Sequence, residues 1–352
     1  MNPPRLRSLV LFFLLAAMTT GFAVGADAVL ASAPEGTFSV VVIPDTQGYR
    51  GLGTKAEPDS VASIVNPVFE AHTRWIAENL ASQRIAFVSH VGDIVDKNVD
   101  GQWAVAKQHM DVLHGKVPYG IVVGNHDMTG EGDSSLFQKY FPAERFAGFD
   151  WYGGSFEGDL ERPGHSGNNA NSYQLFSAEG VDFIILHLEC NAPDNVVAWA
   201  NGLLGEHANR KAIISTHMDL GPLHRPKNNA GYVSDPKGRM AWKKCHRDRG
   251  NTPEQLWDKL YSKHANLIMV CSGDQSRTSA LYLPRKGDNG NVVHGLLSDY
   301  TSSGPLRIYR FTPAENTIQV ISYDTTLDEV IEESRYVPRR ENHQFVIEAE
   351  LR

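Results

Sequence analysis

Cysteine is rare in this sequence, and its three examples are far apart. Cys190, Cys245 and Cys271 are the cysteines of a 352-residue chain, and their spacing is not that of a zinc knot. At most one disulfide can form within the chain, so a small disulfide-stabilised scaffold is excluded. Cys190 and Cys271 lie at the ends of apolar stretches, where a cysteine most often acts as a small buried hydrophobic residue.

Positive charge is also in short supply. The chain carries 33 Lys and Arg against 41 Asp and Glu, which gives a formal net charge of −8 at pH 7. The first 25 residues contain Arg5 and Arg7 and no acid, so their removal would bring the charge to about −10. General nucleic-acid binding is not expected of so acidic a surface, although bound metal ions can reverse the field locally and admit a phosphate group.

No apolar stretch is long enough to cross a bilayer, which takes about 20 residues. The run Leu9–Ala17 follows Arg5 and Arg7 and precedes small residues near Gly25, which is the pattern of a signal peptide. We expect residues 1–25 to be removed, and the mature protein to be secreted or periplasmic with no membrane span. An uncleaved N-terminal anchor is the alternative.

Apolar stretches of strand length recur along the chain and alternate with helical patterns. Hydrophobic residues make up 41% of the sequence, which is ample for a large core. Helices are predicted at Phe69–Leu80, Gln102–Leu113 and Pro253–Lys263, the last with Thr252 as its N-cap. Strands are predicted at Phe38–Ile43, Ile85–Val91, Tyr119–Val123, Val181–Leu188, Lys211–Ser215 and Leu267–Cys271. This alternation predicts an α/β layered fold whose strand ends carry the functional site.

The pattern changes after Thr278, where short strands are separated by turn residues. The predicted strands are Ala280–Leu283, Val292–Ser298, Leu306–Phe311 and Thr317–Tyr323. We interpret them as an antiparallel second sheet of one domain over residues 35–325, with residues 326–352 as a C-terminal extension that carries a last strand. The polar stretches Gly153–Asn171 and Met218–Gly250 are long for ordinary connections and are predicted to be functional loops.

Residue types that bind metal ions follow five of the predicted strands. They occur in the segments Asp45-Thr46-Gln47, Gly92-Asp93, Gly124-Asn125-His126-Asp127, Ser215-Thr216-His217 and Gly273-Asp274-Gln275. Each has an ordinary explanation when taken singly, such as a turn, a helix cap or a buried histidine. Because the carboxyl ends of parallel strands share one edge of a sheet, the five together predict a metal site there.

The order of these segments resembles the calcineurin-like metallophosphoesterase family over about residues 39–323. The most specific part is GDIVDKN at residues 92–98, followed about thirty residues later by GNHD at residues 124–127. The resemblance implies a β-sandwich flanked by helices. It also implies hydrolysis of a phosphoester, mono- or diester, in a small-molecule or polymer substrate, by a hydroxide that bridges two divalent metal ions.

The resemblance also assigns metal ligands residue by residue. Asp93 would bridge the two ions, because two cations about 3.5 to 4 Å apart repel unless an anion lies between them. Asp45 and Gln47 would belong to the first ion, and Asn125 and His217 to the second.

Three further residues receive roles around the metals. By the resemblance, His126 is not a ligand but donates a proton to the leaving oxygen, and Asp127 fixes the tautomer of its imidazole and raises its pKa. Arg277 follows the last segment and is a candidate phosphate clamp, since its planar guanidinium suits an oxyanion, with a surface salt bridge as the competing interpretation.

This chain departs from the family pattern at several positions. The family usually begins with Asp-x-His and ends with Gly-His-x-His, so Gln47 and Ser276 would replace histidines of the first ion and Asp274 a histidine of the second. Oxygen donors favour manganese, magnesium or calcium, while zinc and iron stay among the candidates. Asp96 stands where purple acid phosphatases carry a tyrosine ligand, which argues against a tyrosinate–iron site.

Two other functions stay open at this point. A catalytically degenerate, metal-stabilised extracellular binding module on the same fold is favoured by Gln47, Asp274 and Ser276, and is opposed by the retention of His126 and Asp127. A single-metal hydrolase of another bond type has no sequence pattern of its own in this chain.

Overall fold

Two β-sheets pack face to face, and helices cover their outer faces. The computed structural model describes residues 30–221, 243–275, 279–300, 302–334, 337 and 339–352. The predicted signal peptide, Ser276, Arg277 and most of the predicted loop at 218–250 lie outside the described residues. Within the described ranges, each sheet has seven strands.

The first sheet combines strands from both ends of the chain. Its strands are β1 (Phe38–Ile43), β2 (Ile85–His90), β3 (Tyr119–Ile121), β11 (Pro305–Thr312), β12 (Thr317–Asp324), β13 (Glu329–Val330) and β14 (Gln344–Glu348). They follow the order β13-β12-β11-β1-β2-β3, and β14 also pairs with β12. The strands β1, β2 and β3 are parallel, whereas β11 runs antiparallel to β1.

The second sheet is built from the middle of the chain. Its strands are β4 (Tyr152–Ser155), β5 (Ser172–Ala178), β6 (Val181–His187), β7 (Lys211–Ser215), β8 (Leu267–Ser272), β9 (Ser279–Lys286) and β10 (Val292–Asp299). Their order is β4-β5-β6-β7-β8-β10-β9. The strands β6, β7, β8 and β10 are parallel, so their carboxyl ends lie at one edge.

The helices pack on the outer faces of the two sheets. They are α1 (Pro67–Glu78), α2 (Asp100–Asp111), α3 (Ser135–Tyr140), α4 (Asp194–Glu206) and α5 (Pro253–Lys259), with short 3-10 turns at Ala143–Arg145, Arg247–Arg249, Tyr261–Lys263 and Arg340–Asn342. The Asn66 side chain caps α1, and Thr252 forms a capping box with Gln255 at the start of α5. Within the described ranges, no helix has the length and apolar character to cross a bilayer.

Successive side chains of a strand point to opposite faces of the sheet, so one strand contributes to two hydrophobic cores. Along β1, Val41 and Ile43 pack against α1 and α2, whereas Val40 and Val42 point between the two sheets. On the outer face of the second sheet, α4 and α5 cover β6, β7 and β8. All three cysteines are buried free thiols, as expected of small hydrophobic residues.

The predicted arrangement of the strands after Thr278 was wrong. They do not form a separate sheet: β9 and β10 extend the second sheet, and β11 to β14 extend the first. The strand β10 also runs parallel to β8. The strand β10 is buried over almost its whole length, and a strand that is covered on both faces gives no local sign of which strands it pairs with.

The helix α4 and the strands β4 and β5 were not predicted. A signal for α4 exists in the sequence, since its buried residues recur at helical spacing; they are Val196, Val197, Ala200, Leu203 and Leu204. The C-terminal segment beyond residue 325 is also part of the fold, because β14 pairs with β12 and Ile347 and Leu351 pack between the sheets.

Candidate metal centre

Three of the predicted ligands meet where the central strands end. Asp45 follows β1, Asp93 follows β2 and His217 follows β7, and one ligand atom of each lies within 4.8 Å of the others. Backbone hydrogen bonds join the strand-end loops, from Thr46 N to Asp93 O at 3.0 Å and from Gly273 N to His217 O at 2.9 Å. All three side chains are buried. The carboxyl ends of the parallel strands in the first sheet and in the second sheet thus form one site.

Asp93 lies at the centre of this group. Its Oδ1 accepts a hydrogen bond from the His126 backbone N–H at 2.9 Å, and its Oδ2 accepts one from Gln47 Nε2 at 2.7 Å. Burial opposes ionisation of this carboxyl group, but the neighbouring His217 outweighs it, and the pKa of Asp93 is lowered to about 2. An ionised carboxylate at this position is suited to bind a cation.

A glycine makes this close approach possible. Gly92 has a φ of +96°, and a Cβ on it would lie 2.8 Å from His217 Nδ1 and 2.9 Å from Gly124 Cα. A side chain at position 92 would therefore separate the loops that carry Asp93 and His217.

His217 has the tautomer that a metal ligand requires. Its Nδ1 lies 2.8 Å from the carbonyl oxygen of Val91, which can only accept, so Nδ1 carries the proton. Its Nε2 has no well-formed hydrogen bond among the described residues, yet lies 3.1 Å from Asp93 Oδ1 and 3.6 Å from Asp274 Oδ1. A lone pair that faces two carboxylates requires a cation between them, either a proton or a metal ion. Although burial alone would lower it, Asp93 raises the pKa of His217 well above its usual value.

Asp45 provides a second fit for a cation. Its Oδ2 accepts a hydrogen bond from the Asp274 backbone N–H at 3.2 Å, but its buried Oδ1 has no hydrogen-bond partner among the described residues. Burial, with the charge of Asp299 next, raises the pKa of Asp45 well above its usual value. A buried carboxylate with an unpaired oxygen is stabilised in its ionised form by a bound cation.

Asn125 and Asp274 are joined by hydrogen bonds to the same side chain, that of Lys244, which was not predicted to be part of the site. Lys244 Nζ donates to Asn125 Oδ1 at 2.8 Å and to Asp274 Oδ1. Asp274 Oδ2 also accepts from Gln275 Nε2 at 2.8 Å. The only sequence signal for Lys244 was its place in the predicted functional loop at 218–250. Asp299, at the end of β10, was also missed, although the rule of strand ends that located the other residues applies to it.

Gln47 reaches the centre through its amide nitrogen, which donates to Asp93. The amide oxygen is the atom that would bind a metal ion, so the contact in this structure orients Asp93 and leaves the predicted role of Gln47 as a ligand a prediction.

The expected contact between Asp127 and the His126 imidazole is replaced by another arrangement. His126 Nδ1 lies 2.7 Å from the carbonyl oxygen of Asp96, which orients the ring. The Asp127 carboxylate instead accepts backbone N–H groups, at 2.8 Å from Gly124, 2.9 Å from Ile94 and 3.1 Å from Val95. Burial, with the charge of Asp93 next, raises the pKa of Asp127 to about 7. The physical reason is that the turns after β2 and β3 leave N–H groups that need an acceptor.

A cavity of about 470 Å³ lies beside the centre. Gln47, Arg50, Lys55 and Asp96 are in its wall, and Lys55 Nζ donates to Asp96 Oδ1 at 2.7 Å. Its wall therefore combines two basic side chains, Arg50 and Lys55, with the Asp96 carboxylate, next to the predicted ligand Gln47.

Known proteins are similar to this chain in sequence and in fold. The curated "Uncharacterized protein YvnB" of Bacillus subtilis (strain 168) is 31% identical over 268 residues, which are 73% of this chain and 18% of that protein. The chain thus spans about a fifth of that relative's length. Among solved structures, the NAD nucleotidase NadN of Haemophilus influenzae has a TM-score of 0.43 at 12% identity, over 82% of this chain and 47% of that chain. The 5'-nucleotidase precursor of Thermus thermophilus has a TM-score of 0.43 at 12% identity, over 86% of this chain and 56% of that chain.

The family match decides the classification. Residues 38–250 match the sequence model of the calcineurin-like phosphoesterases, which is more than half of the chain and includes Asp45, Asp93, Asn125 and His217. The predicted α/β layered, metallophosphoesterase-like fold is confirmed, as is the resemblance that the sequence motifs indicated. This chain belongs to the calcineurin-like phosphoesterase family.

Proposed function

We propose that this protein is a metal-dependent hydrolase of phosphoesters, mono- or diesters, that acts in the periplasm or outside the cell. The observation that carries the proposal is the buried group of Asp45, Asp93 and His217, in which His217 Nε2 and Asp45 Oδ1 have no hydrogen-bond partner among the described residues. Divalent ions bound there would polarise the ester and activate water. The N-terminal sequence pattern supports the location.

The ligand set follows from the chain's own donors. Asp45 and Gln47 would hold a first divalent ion together with the shared Asp93, and the family resemblance places a second among Asp93, Asn125, His217 and Asp274. Because most of these donors are oxygens, we propose manganese, magnesium or calcium ahead of zinc or iron. Gln47 would keep the Asp93 carboxylate in position through its 2.7 Å hydrogen bond.

His126 is the proposed proton donor to the leaving oxygen. The Asp96 carbonyl holds its Nδ1, so its Nε2 is left to carry the transferred proton. The His126 side chain is 31% exposed, which leaves room for a substrate beside it.

Substrate contacts are proposed for the cavity next to Gln47. Arg50 and Lys55 would attract an anionic phosphoester, in a small molecule or a polymer, and Arg277 remains a proposed phosphate clamp. The acidic character of the whole chain argues against nucleic acid as a general partner.

The test compares Asp93→Asn with a matched control in manganese-loaded protein. Asp182→Asn makes the same change at an exposed position near the amino-terminal end of β6, whereas the metal centre lies at the carboxyl ends of the strands. We expect Asp93→Asn to abolish hydrolysis of aryl phosphate mono- and diesters and to lower bound manganese, because a neutral amide cannot bridge two cations. The control should retain both.

Two results would contradict the proposal. Full activity of Asp93→Asn would remove this carboxylate from the chemistry. Wild-type protein that binds manganese but hydrolyses no phosphoester would favour the metal-stabilised binding module instead.

A further inference from the structure

Hydrogen bonds to a buried side chain hold the backbone at Lys244. The buried side chain of Asn191, which follows β6, accepts the backbone N–H of Lys244 at 2.9 Å and that of Cys245 at 3.3 Å. Asn191 also donates through Nδ2 to the carbonyl oxygen of Asn251 at 2.8 Å. The position of Lys244 is thus fixed by a buried polar residue of the fold.

The side chain of Lys244 ends among the predicted ligands. Its ammonium group donates to Asn125 Oδ1 and Asp274 Oδ1, and the side chain is only 16% exposed. These oxygens belong to two of the four residues that the resemblance assigns to the second metal ion. Asp274 Oδ1 is also 3.6 Å from His217 Nε2, a third member of that set.

We propose that the Lys244 ammonium occupies the second cation position of this centre. The protein would then bind one divalent ion, at Asp45, Asp93 and His217, and would supply the other positive charge from its own chain. This inference rests on the proposed function of the centre as the metal site of a hydrolase.

The charges at this position support the replacement of a second metal ion by the Lys244 ammonium. Where the family usually has a neutral histidine, this chain has Asp274, which adds one negative charge. Lys244 brings one positive charge to that same carboxylate. The pair is locally neutral, so Asp274 needs no metal ion for compensation.

A divalent ion and the ammonium cannot use these oxygens together. A metal ion would lie about 2.0 to 2.6 Å from its oxygen ligands. The Lys244 nitrogen is already 2.8 Å from Asn125 Oδ1. Two cations on the same two oxygens would repel each other at short range, so entry of a second ion requires that the lysine side chain swing out.

The ammonium could replace part of what a second ion does. It is a compact charge with three N–H donors, and it can neutralise a phosphoryl oxygen and hydrogen-bond to it. Lys244 would then be a substrate-binding cation next to a single metal ion.

The experiment counts manganese ions in the whole chain. Wild type, Lys244→Met and the control Lys243→Met are stripped with chelator, dialysed against Mn²⁺ and analysed for metal by mass spectrometry and electron paramagnetic resonance. Lys243 is the exposed neighbour in the same segment. We expect one ion and an uncoupled six-line signal for wild type and for Lys243→Met. We expect two ions and an exchange-coupled signal for Lys244→Met, with second-site affinity at least about tenfold tighter than in wild type.

Two ions in wild type at comparable affinities, or one ion in Lys244→Met, would overturn the inference. Lys244→Arg keeps the charge and should bind one ion, which also covers the case in which Lys244→Met does not fold. Hydrolysis is assayed separately on the same samples. If wild type binds one ion and Lys244→Met binds two, but wild type hydrolyses no phosphoester, the proposed function alone is refuted. If wild type hydrolyses phosphoesters and binds two ions, the role of Lys244 alone is refuted.

Discussion

The substitution Gly273→Ala tests how Asp45 is placed for metal binding. A Cβ at residue 273 would lie 2.1 Å from Asp45 Oδ1 and 3.1 Å from Val91 Cγ2. Carbon–oxygen contacts are about 3.3 Å or longer, so the carboxylate must move by about 1 Å. Ligand bonds to transition metals are about 2.0 to 2.2 Å long, and a displacement of this size removes Asp45 from the ion.

We expect the affinity for Mn²⁺ to fall by at least about 10- to 100-fold, the effect known for groups that orient metal ligands. The metal-free protein should also lose about 1 to 3 kcal/mol of unfolding free energy, because the added methyl group overpacks a buried site. Isothermal titration with Mn²⁺ measures the first quantity, and urea unfolding in chelator measures the second.

The matched control is Gly202→Ala, in α4, where a Cβ meets no atom within 4 Å. It should leave Mn²⁺ affinity unchanged and raise the unfolding free energy by about 0.5 to 1 kcal/mol, since alanine favours a helix interior. Gly273→Ala protein that binds Mn²⁺ as tightly as wild type would show that Asp45 Oδ1 is not a ligand.

Two further predictions concern histidines. His126→Gln should slow hydrolysis of alkyl phosphates about 10²- to 10⁴-fold with manganese retained, and slow that of p-nitrophenyl phosphate less, because a good leaving group needs no proton; an equal loss for both would indicate a structural role. Burial lowers the pKa of His72 to about 4 and that of His187 to about 3, so the folded state keeps both neutral while the unfolded chain binds protons below its pKa of about 6.5. Their stability contribution is present above pH 6.5 and is lost as the pH falls toward 4, by about 2 kcal/mol each at pH 5. Urea unfolding of metal-free protein at pH 7.5 and pH 5 should show this decrease, and His187→Gln should reduce it; a slope that is unchanged in the variant would contradict the assignment.

The strand-end residues could be located from the sequence because their signals are local. Each is a short apolar run followed by a turn, and the observed strands β1 and β7 have the predicted bounds. Parallel strands bring their carboxyl ends together whatever lies between them in the chain, so Asp45, Asp93 and His217 could be assigned to one site.

Residue pairing was less predictable where partners are distant or where two partners compete. His126 and Asp127 are adjacent in sequence, yet the first contacts Asp96 and the second the backbone of two turns. The choice depends on which N–H groups the folded turns leave unpaired, and a sequence pattern does not contain that information.

The sequence by itself determined the class of fold, the family and the residues at the strand ends, because strand period, turn chemistry and motif order are properties of neighbouring residues. Only the tertiary structure decided how β9 to β14 divide between the two sheets, and only it brought Lys244 to Asn125 and Asp274, which are 119 and 30 residues away along the chain. Such contacts depend on how separate layers pack, since a buried strand or a charged side chain is compatible with many partners until the core selects one.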